Sequence, residues 1–409
     1  MPFPHSTGIP SIDVTPQPAL LDDTLHIRLR GFEPGRAIAL RASMEDERGR
    51  TWTSSATFLS DQQGCIDLVS DAPISGSYSE VDPMGLCWSA TTPRSKRGTF
   101  LKRGSEALSM ELTAEVDGLV LASVPIGRHI IAPGVERISV RHRGLVGTFF
   151  RPLITSARPA LLVFGGAEGG LQEGRAALLA SWGYPALALA YFGTEHLPPE
   201  LTCIPLEYFE TALTWLGEQE GVDGQRLALM GTSRGGEVAL LLGTTLPQVR
   251  AVIAVVPSGL VWESESESGY QPAWMRDGQG VPCLRWPSGS PTAEVDEGEM
   301  RLYLAAHPEA TEQATIPVEQ FHGPLLLISG TADRIWPTTY FCERIIARLD
   351  HTHHPFPYQH IAYQDAGHLF TLPYLPTTLT WHGGNAASMA HANADYWRKI
   401  RAFLATTFK

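Results

Sequence analysis

Leu227–Gly243 reads LALMGTSRGGEVALLLG, and no other stretch restricts the fold so tightly. Its four opening apolar residues are short enough for a buried strand, and Glu237–Leu242 reads as a helix. Between them stands Gly231-Thr232-Ser233-Arg234-Gly235-Gly236. Strand, Gly-x-Ser-x-Gly, helix is the pattern of a nucleophile elbow. A serine on so sharp a turn sits in strained backbone, and Gly231 and Gly235 lack the side chains that would clash there. A helix starting just after Ser233 aims free N–H groups and its positive dipole end at the reacting centre. The pentapeptide also matches a glycine-rich loop around an ordinary serine, so partners elsewhere in the chain must decide.

An activated serine needs a base within hydrogen-bond reach and a third group to orient that base. Both occur in the order serine, acid, histidine. After the apolar run Pro324–Ser329 comes Gly330-Thr331-Ala332-Asp333, which puts Asp333 in the loop leaving a late strand. Ile361–Gln364 reads as the last strand and Asp365-Ala366-Gly367-His368 follows it. Of 14 histidines, only His368 combines a preceding strand, a glycine and this chain order. Asp365 is the rival acid, but on the same loop as His368 it reads as shaping the turn. An oxyanion hole needs two backbone donors. One is expected at Arg234, right after the nucleophile; the other is Gly166 or Ala167, in the loop after Phe164, and spacing leaves both open. His351, His353, His354 and His360 fit no zinc spacing and read as surface residues, so no metal and no cofactor is expected.

The rest of the chain divides at about residue 133. From Ser11 to Pro133, short alternating runs such as Leu25–Arg30, Ile38–Met44 and Leu108–Val116 are separated by turn signals, the pattern of a β-sandwich. Within it, Met84-Gly85-Leu86-Cys87-Trp88 reads as a loop whose bulky apolar groups are expected to be buried against the C-terminal domain. From Gly134 to Lys409, continuous apolar runs alternate with helices: Ala160–Phe164, Pro185–Ala190, Val249–Val256 and Pro324–Ser329. Runs buried on both faces imply a parallel sheet flanked by helices. Residues from about 257 to 320 interrupt that rhythm and read as a cap, with Glu263–Glu267 as a solvated loop.

A net charge of −12 with no basic patch argues against nucleic-acid or anionic-membrane partners, and no apolar run is long enough to span a bilayer. Five scattered cysteines favour free thiols in a reducing compartment. Met1–Pro10 does not read as a signal peptide, nor Thr407–Lys409 as a peroxisomal address, so the cytoplasm is expected.

These residues resemble the acyl-CoA thioester hydrolase and bile acid-CoA:amino acid N-acyltransferase family along nearly the whole chain. Val14-Thr15-Pro16, Arg28–Gly35, Gly76-Ser77-Tyr78 and Asp82–Leu86 are similar to its immunoglobulin-like N-terminal domain. Gly169-Gly170-Leu171, Arg175–Ala180, Ala186–Tyr191, Leu206–Glu210, the elbow, Ile316–Glu319, Ala366–Leu369, Gly383-Gly384 and Asp395-Tyr396-Trp397 are similar to its hydrolase domain. The resemblance implies an immunoglobulin-like sandwich over residues 1–133 and an α/β-hydrolase fold over 134–409. It also implies a triad of Ser233, Asp333 and His368. In this family the members that conjugate acyl groups to amino acids typically carry cysteine at the elbow, and the thioesterases serine. Ser233 therefore implies hydrolysis of a small-molecule acyl thioester, on coenzyme A or an acyl carrier. An acyltransferase to an amine or a carboxylesterase on the same triad is the alternative, and a non-catalytic acyl-binding protein a further one. Glu168 and the stretch Val261–Pro291 depart from the family's familiar pattern.

Overall fold

The structure is a computed structural model and describes residues 8–93, 99–266, 269–287, 295–377 and 382–409. Two compact units form. One comprises Met1–Ala132, Thr371–Thr380 and Asn385–Ala394; the other comprises Pro133–Phe370, Trp381–Gly384 and Asp395–Lys409. Two segments near the C-terminus thus group with the N-terminal residues, a pairing that boundaries drawn along the sequence cannot express.

The first unit is built from two sheets. Six strands pair in the order Ala19–Leu20, Leu119–His129, Leu108–Val116, Ala37–Glu45, Thr51–Leu59, Ser75–Gly76; three more pair as Ser11–Thr15, His26–Arg30, Ile66–Asp67. Alternation decides which face is buried. In Ala37–Glu45, Ile38, Leu40, Ala42 and Met44 point inward. Met84–Trp88 differs from its reading as a loop: Gly85–Trp88 is one turn of helix with all four residues buried. The Trp88 indole donates to Asp82 Oδ2 at 2.7 Å, and its ring meets His391, which belongs to the same unit.

The second unit is organised on an eight-stranded sheet. Its strands are β1 (Val135–His142), β2 (Leu145–Pro152), β3 (Arg158–Phe164), β4 (Ala186–Ala190), β5 (Val222–Thr232), β6 (Val249–Val255), β7 (Leu325–Gly330) and β8 (Tyr358–Tyr363). They pair in the order β1-β2-β4-β3-β5-β6-β7-β8, and β2 alone runs against the rest. Helices α1 (Glu173–Ser181), α2 (Leu206–Gly217), α3 (Arg234–Thr245) and α4 (Thr338–His351) pack on it. This is an α/β-hydrolase-like fold. The central strands are sandwiched between helices, so β4 and β7 are buried at every position and their sequences are almost wholly apolar.

Between β6 and β7 lies an insertion containing a hairpin (Glu263–Ser266 with Gly269–Pro272), the strand Trp274–Arg276 and helices Glu297–Ala306 and Pro308–Ala314. The Glu263–Glu267 run is therefore not the loop its charge implies: Glu263–Ser266 forms the first arm of the hairpin, and Ser264 is buried. Glu267 lies outside the described residues. Among the described residues no helix is long and apolar enough to cross a membrane.

Candidate active site

Ser233 stands between β5 and α3 with φ 57° and ψ −121°, a conformation that side chains other than glycine rarely adopt. The surrounding backbone enforces it. A Cβ on Gly231 would lie 2.0 Å from the Gly235 carbonyl oxygen, and one on Gly235 would lie 2.2 Å from that of Gly165. The glycines are thus required by close backbone crossings as well as by the turn. The Ser233 amide is fixed on the Val255 carbonyl at 2.8 Å, which ties the elbow to β6.

His368 arrives on the loop after β8 and meets both partners. Its Nε2 is 2.9 Å from Ser233 Oγ, and its Nδ1 is 2.7 Å from Asp333 Oδ2. The Asp333 side chain is only 1% exposed, so its charge must be satisfied internally. The amides of Ile335 (2.9 Å) and Trp336 (3.4 Å) donate to Oδ1, and the Thr338 hydroxyl donates to Oδ2 at 2.9 Å. Asp365 takes no part in this contact. It is exposed at φ 56°, its amide donates to Thr331 Oγ1, and its carboxylate accepts from Gln364.

The loops bearing Asp333 and His368 are joined by His382-Gly383-Gly384. The His382 carbonyl accepts from the amides of His368 (3.0 Å) and Arg334 (3.3 Å), while Gly383 and Gly384 bridge to Asp333 and Ala366. At Gly383 (φ 86°) a Cβ would lie 1.8 Å from the Ala332 oxygen. Burial, with His368 nearby, lowers the His382 pKa to about 4, which keeps this second imidazole neutral beside the first. A further tie comes from α1. Buried Arg175 donates to Thr232 Oγ1 and to the Phe370 carbonyl, both at 2.6 Å, linking the residue before Ser233 to the loop after His368.

The loop after β3 approaches the elbow closely enough that a methyl on Gly166 would sit 2.9 Å from Ser233 Cβ. The two amides left open by spacing differ here. Gly166 N–H donates to Glu168 Oε2 at 3.0 Å, and the other oxygen of that carboxylate accepts from Gln172 Nε2 at 2.9 Å. The amides of Ala167 and Arg234 donate to no acceptor among the described residues.

Among the described residues no three metal-ligating side chains lie close enough to share an ion. His354, read from sequence as a surface residue, is buried between the rings of Phe356 and Tyr358, because the chain folds back after α4 and the His354 amide bonds the Leu349 carbonyl.

Residues 22–142 match the profile of the acyl-CoA thioester hydrolase/BAAT N-terminal region, and 204–409 match the BAAT/acyl-CoA thioester hydrolase C-terminal profile. The mouse bile acid-CoA:amino acid N-acyltransferase is 30% identical over 418 residues, covering 96% of each chain. Mouse acyl-coenzyme A thioesterase 6 is 31% identical over 405 residues, covering 93% of each. The chain belongs to the acyl-CoA thioester hydrolase/BAAT family. Relatives in this family thus include both acyl-CoA thioesterases and an acyltransferase. Among solved structures, a dienelactone hydrolase-like promiscuous phosphotriesterase from metagenomic libraries aligns with 68% of this chain and 100% of its own, at 16% identity and a TM-score of 0.45.

In this acyl-CoA thioester hydrolase/BAAT member, three site features escape reasoning from catalytic motifs. Arg175 and the Gly383-Gly384 pair enter there only through family resemblance, and the Glu168 contact not at all. A paired glycine ahead of the helix Ala386–Thr407 is a visible signal for the second; nothing in the sequence says which atoms Arg175 and Glu168 reach.

Proposed function

We propose that the chain is a serine hydrolase that cleaves acyl-CoA or related acyl thioesters to free acid and thiol. The continuous line Ser233 Oγ, His368, Asp333 carries this reading, because its distances are those of a nucleophile, a base and the group that orients it. In this mechanism His368 Nε2 takes the Ser233 proton as Oγ attacks the thioester carbonyl. The oxygen that gains the negative charge is received by the Arg234 and Ala167 amides, the two donors without an internal acceptor. Gly166 is the weaker candidate, because its N–H is committed to Glu168. Collapse of the tetrahedral intermediate breaks the C–S bond, and the thiolate leaves with the proton from His368. A water, deprotonated by the same nitrogen, then attacks the acyl-serine ester; the acid departs and Ser233 recovers its proton.

Transfer to an amine is the second reading, and the N-acyltransferase relative gives it weight. Serine at the elbow favours hydrolysis, since the acyl-enzyme is an oxygen ester less reactive toward amines than the thioester formed on cysteine. The strand-rich N-terminal residues are read as an immunoglobulin-like sandwich, with residues 1–133 and 134–409 as the two domains along the sequence. Ser233→Ala tests the assignment. Thiol release from acyl-CoAs of graded chain length should fall by on the order of 10⁶; a variant keeping a tenth of the wild-type rate would remove Ser233 from the chemistry.

A further inference from the structure

Arg234 and Glu237 occupy the first turn of α3, three residues apart, and both side chains are buried, Glu237 completely. Arg234 Nη1 donates to Glu237 Oε2 at 2.9 Å, and Nη2 donates to the Trp262 carbonyl at 2.7 Å. The Trp262 amide in turn donates to Glu237 Oε1 at 3.3 Å, so one residue of the insertion is gripped at both its backbone groups by opposite charges. The Trp274 indole donates to the same carboxylate oxygen at 2.8 Å, and the Arg234 guanidinium lies 5.9 Å from that ring.

Both tryptophans lead back to the site. Trp262 packs on Trp286 (4.9 Å between centroids), Trp286 on Trp336 (6.1 Å), and Trp336 edge-on against His368 (5.9 Å). Trp274 packs on Tyr191 at 5.8 Å, and the Tyr191 hydroxyl donates to the Gly165 carbonyl at 2.8 Å, at the root of the loop beside Ser233. A buried ion pair is a poor source of stability, because desolvation offsets most of its attraction and apolar residues of similar size serve as well. The insertion already has an apolar core in which Leu260, Leu284 and Met300 pack with Phe341 of α4. What the pair adds is a fixed seat.

We propose that Arg234 and Glu237 are positioning residues that clamp the insertion onto the nucleophile helix and so set how tightly the acyl substrate is held beside Ser233. This rests on the hydrolase reading for its kinetic consequence but not for the clamp itself. Burial raises the Glu237 carboxyl to about 7, with Arg234 and the donors from Trp274 and Trp262 acting the other way. The other titratable groups facing it are Tyr191 and Cys283, both pushed upward by burial, the thiol to about 11, so neither titrates near neutrality. As pH falls through about 7, Glu237 takes a proton and Arg234 loses its charged partner.

Glu237→Gln tests this directly, with Trp274→Phe as a milder variant that removes one donor only. In Glu237→Gln the KM for acyl-CoA should rise about tenfold while kcat stays within about threefold, the signature of lost uniform binding. Labelling of Ser233 by a small fluorophosphonate should stay within about threefold, because a probe that short does not depend on the insertion. In a background of Trp88→Phe and Trp336→Phe, which removes the two indoles that meet His391 and His368, tryptophan emission should shift to the red as pH falls through about 7, and adding Glu237→Gln should abolish that transition. Trp274→Phe should move KM the same way by less. A fall in kcat and labelling at constant KM, or an emission transition that survives Glu237→Gln in the background lacking Trp88 and Trp336, would overturn the clamp. Should the wild type turn over no acyl thioester, the hydrolase reading fails alone, and the emission transition decides the clamp.

Discussion

Replacing Asp333 by asparagine changes one atom, and the structure says which way the new amide must face. Oδ1 accepts the Ile335 and Trp336 amides, so an NH₂ group at that position would oppose two buried N–H donors. Leaving such groups unpaired costs about 1–3 kcal/mol. Oδ2 faces the Thr338 hydroxyl, which can turn to donate or accept, and His368 Nδ1. The NH₂ therefore settles on the His368 side. It then donates to Nδ1 and forces the ring proton onto Nε2, the nitrogen that receives the Ser233 proton in the proposed mechanism. A wrong tautomer of this kind lowers kcat by on the order of 10⁴, equivalent to about 5.5 kcal/mol. Asp365→Asn should cost less than about twofold, since Asp365 is exposed and asparagine tolerates its positive φ. The assay is thiol release from one acyl-CoA at saturation, with thermal unfolding of both variants as a control. A larger loss in Asp365→Asn than in Asp333→Asn would refute the reasoning, as would an Asp333→Asn enzyme that kept a tenth of its kcat.

Other positions give independent checks. Gly383→Ala drives a methyl into the Ala332 carbonyl at a positive φ, so it should destabilise by more than about 2 kcal/mol, read as a lower unfolding midpoint; an unchanged midpoint would remove the glycine pair as the join between the two loops. Glu168→Ala frees Gly166 N–H and unties the loop, which should lower kcat/KM about tenfold by loosening Ala167, the proposed oxyanion donor; an undiminished rate would show that the carboxylate does not support the loop. In the first unit, burial pushes the Asp67 carboxyl up, but hydrogen bonds from His26 and Arg28 prevail and hold it down at about 2. Its contribution is present above the ordinary carboxylate range and is lost as pH falls from about 4 toward 2. Asp67→Asn should flatten that part of a urea-midpoint profile against pH, and a profile parallel to wild type would contradict this.

What was legible in the sequence follows the range of the forces involved. The elbow is local: its strand, glycines and helix lie within one short stretch, so pattern alone exposes it. Central strands such as β4 and β7 are buried on both faces and announce themselves as unbroken apolar runs. Asp333 and His368 are far from Ser233 in sequence, yet Asp333 follows such a strand, and His368 follows the half-exposed edge strand β8, which is why chain order could find them. Contacts set by folding back were not legible. Glu263–Ser266 carries charge and still pairs as a strand, because its partner follows at once in Gly269–Pro272. Met84–Trp88 lacks helical periodicity at one turn's length and is held by tertiary contacts, among them His391 far along the chain. His354 offers nothing in composition to show that it is buried. The difference between Gly166 and Ala167 is one hydrogen bond to a side chain two residues away, below the resolution of any spacing rule.

Whether Ser233 passes its acyl group to water is read from mass spectrometry of the products. Wild-type protein is incubated with an acyl-CoA and excess glycine or taurine. Free acid is expected as almost the sole acyl product, with coenzyme A released in equal amount, and any amide confined to a Ser233→Cys variant. Amide as the main wild-type product would contradict it and make this chain an acyltransferase.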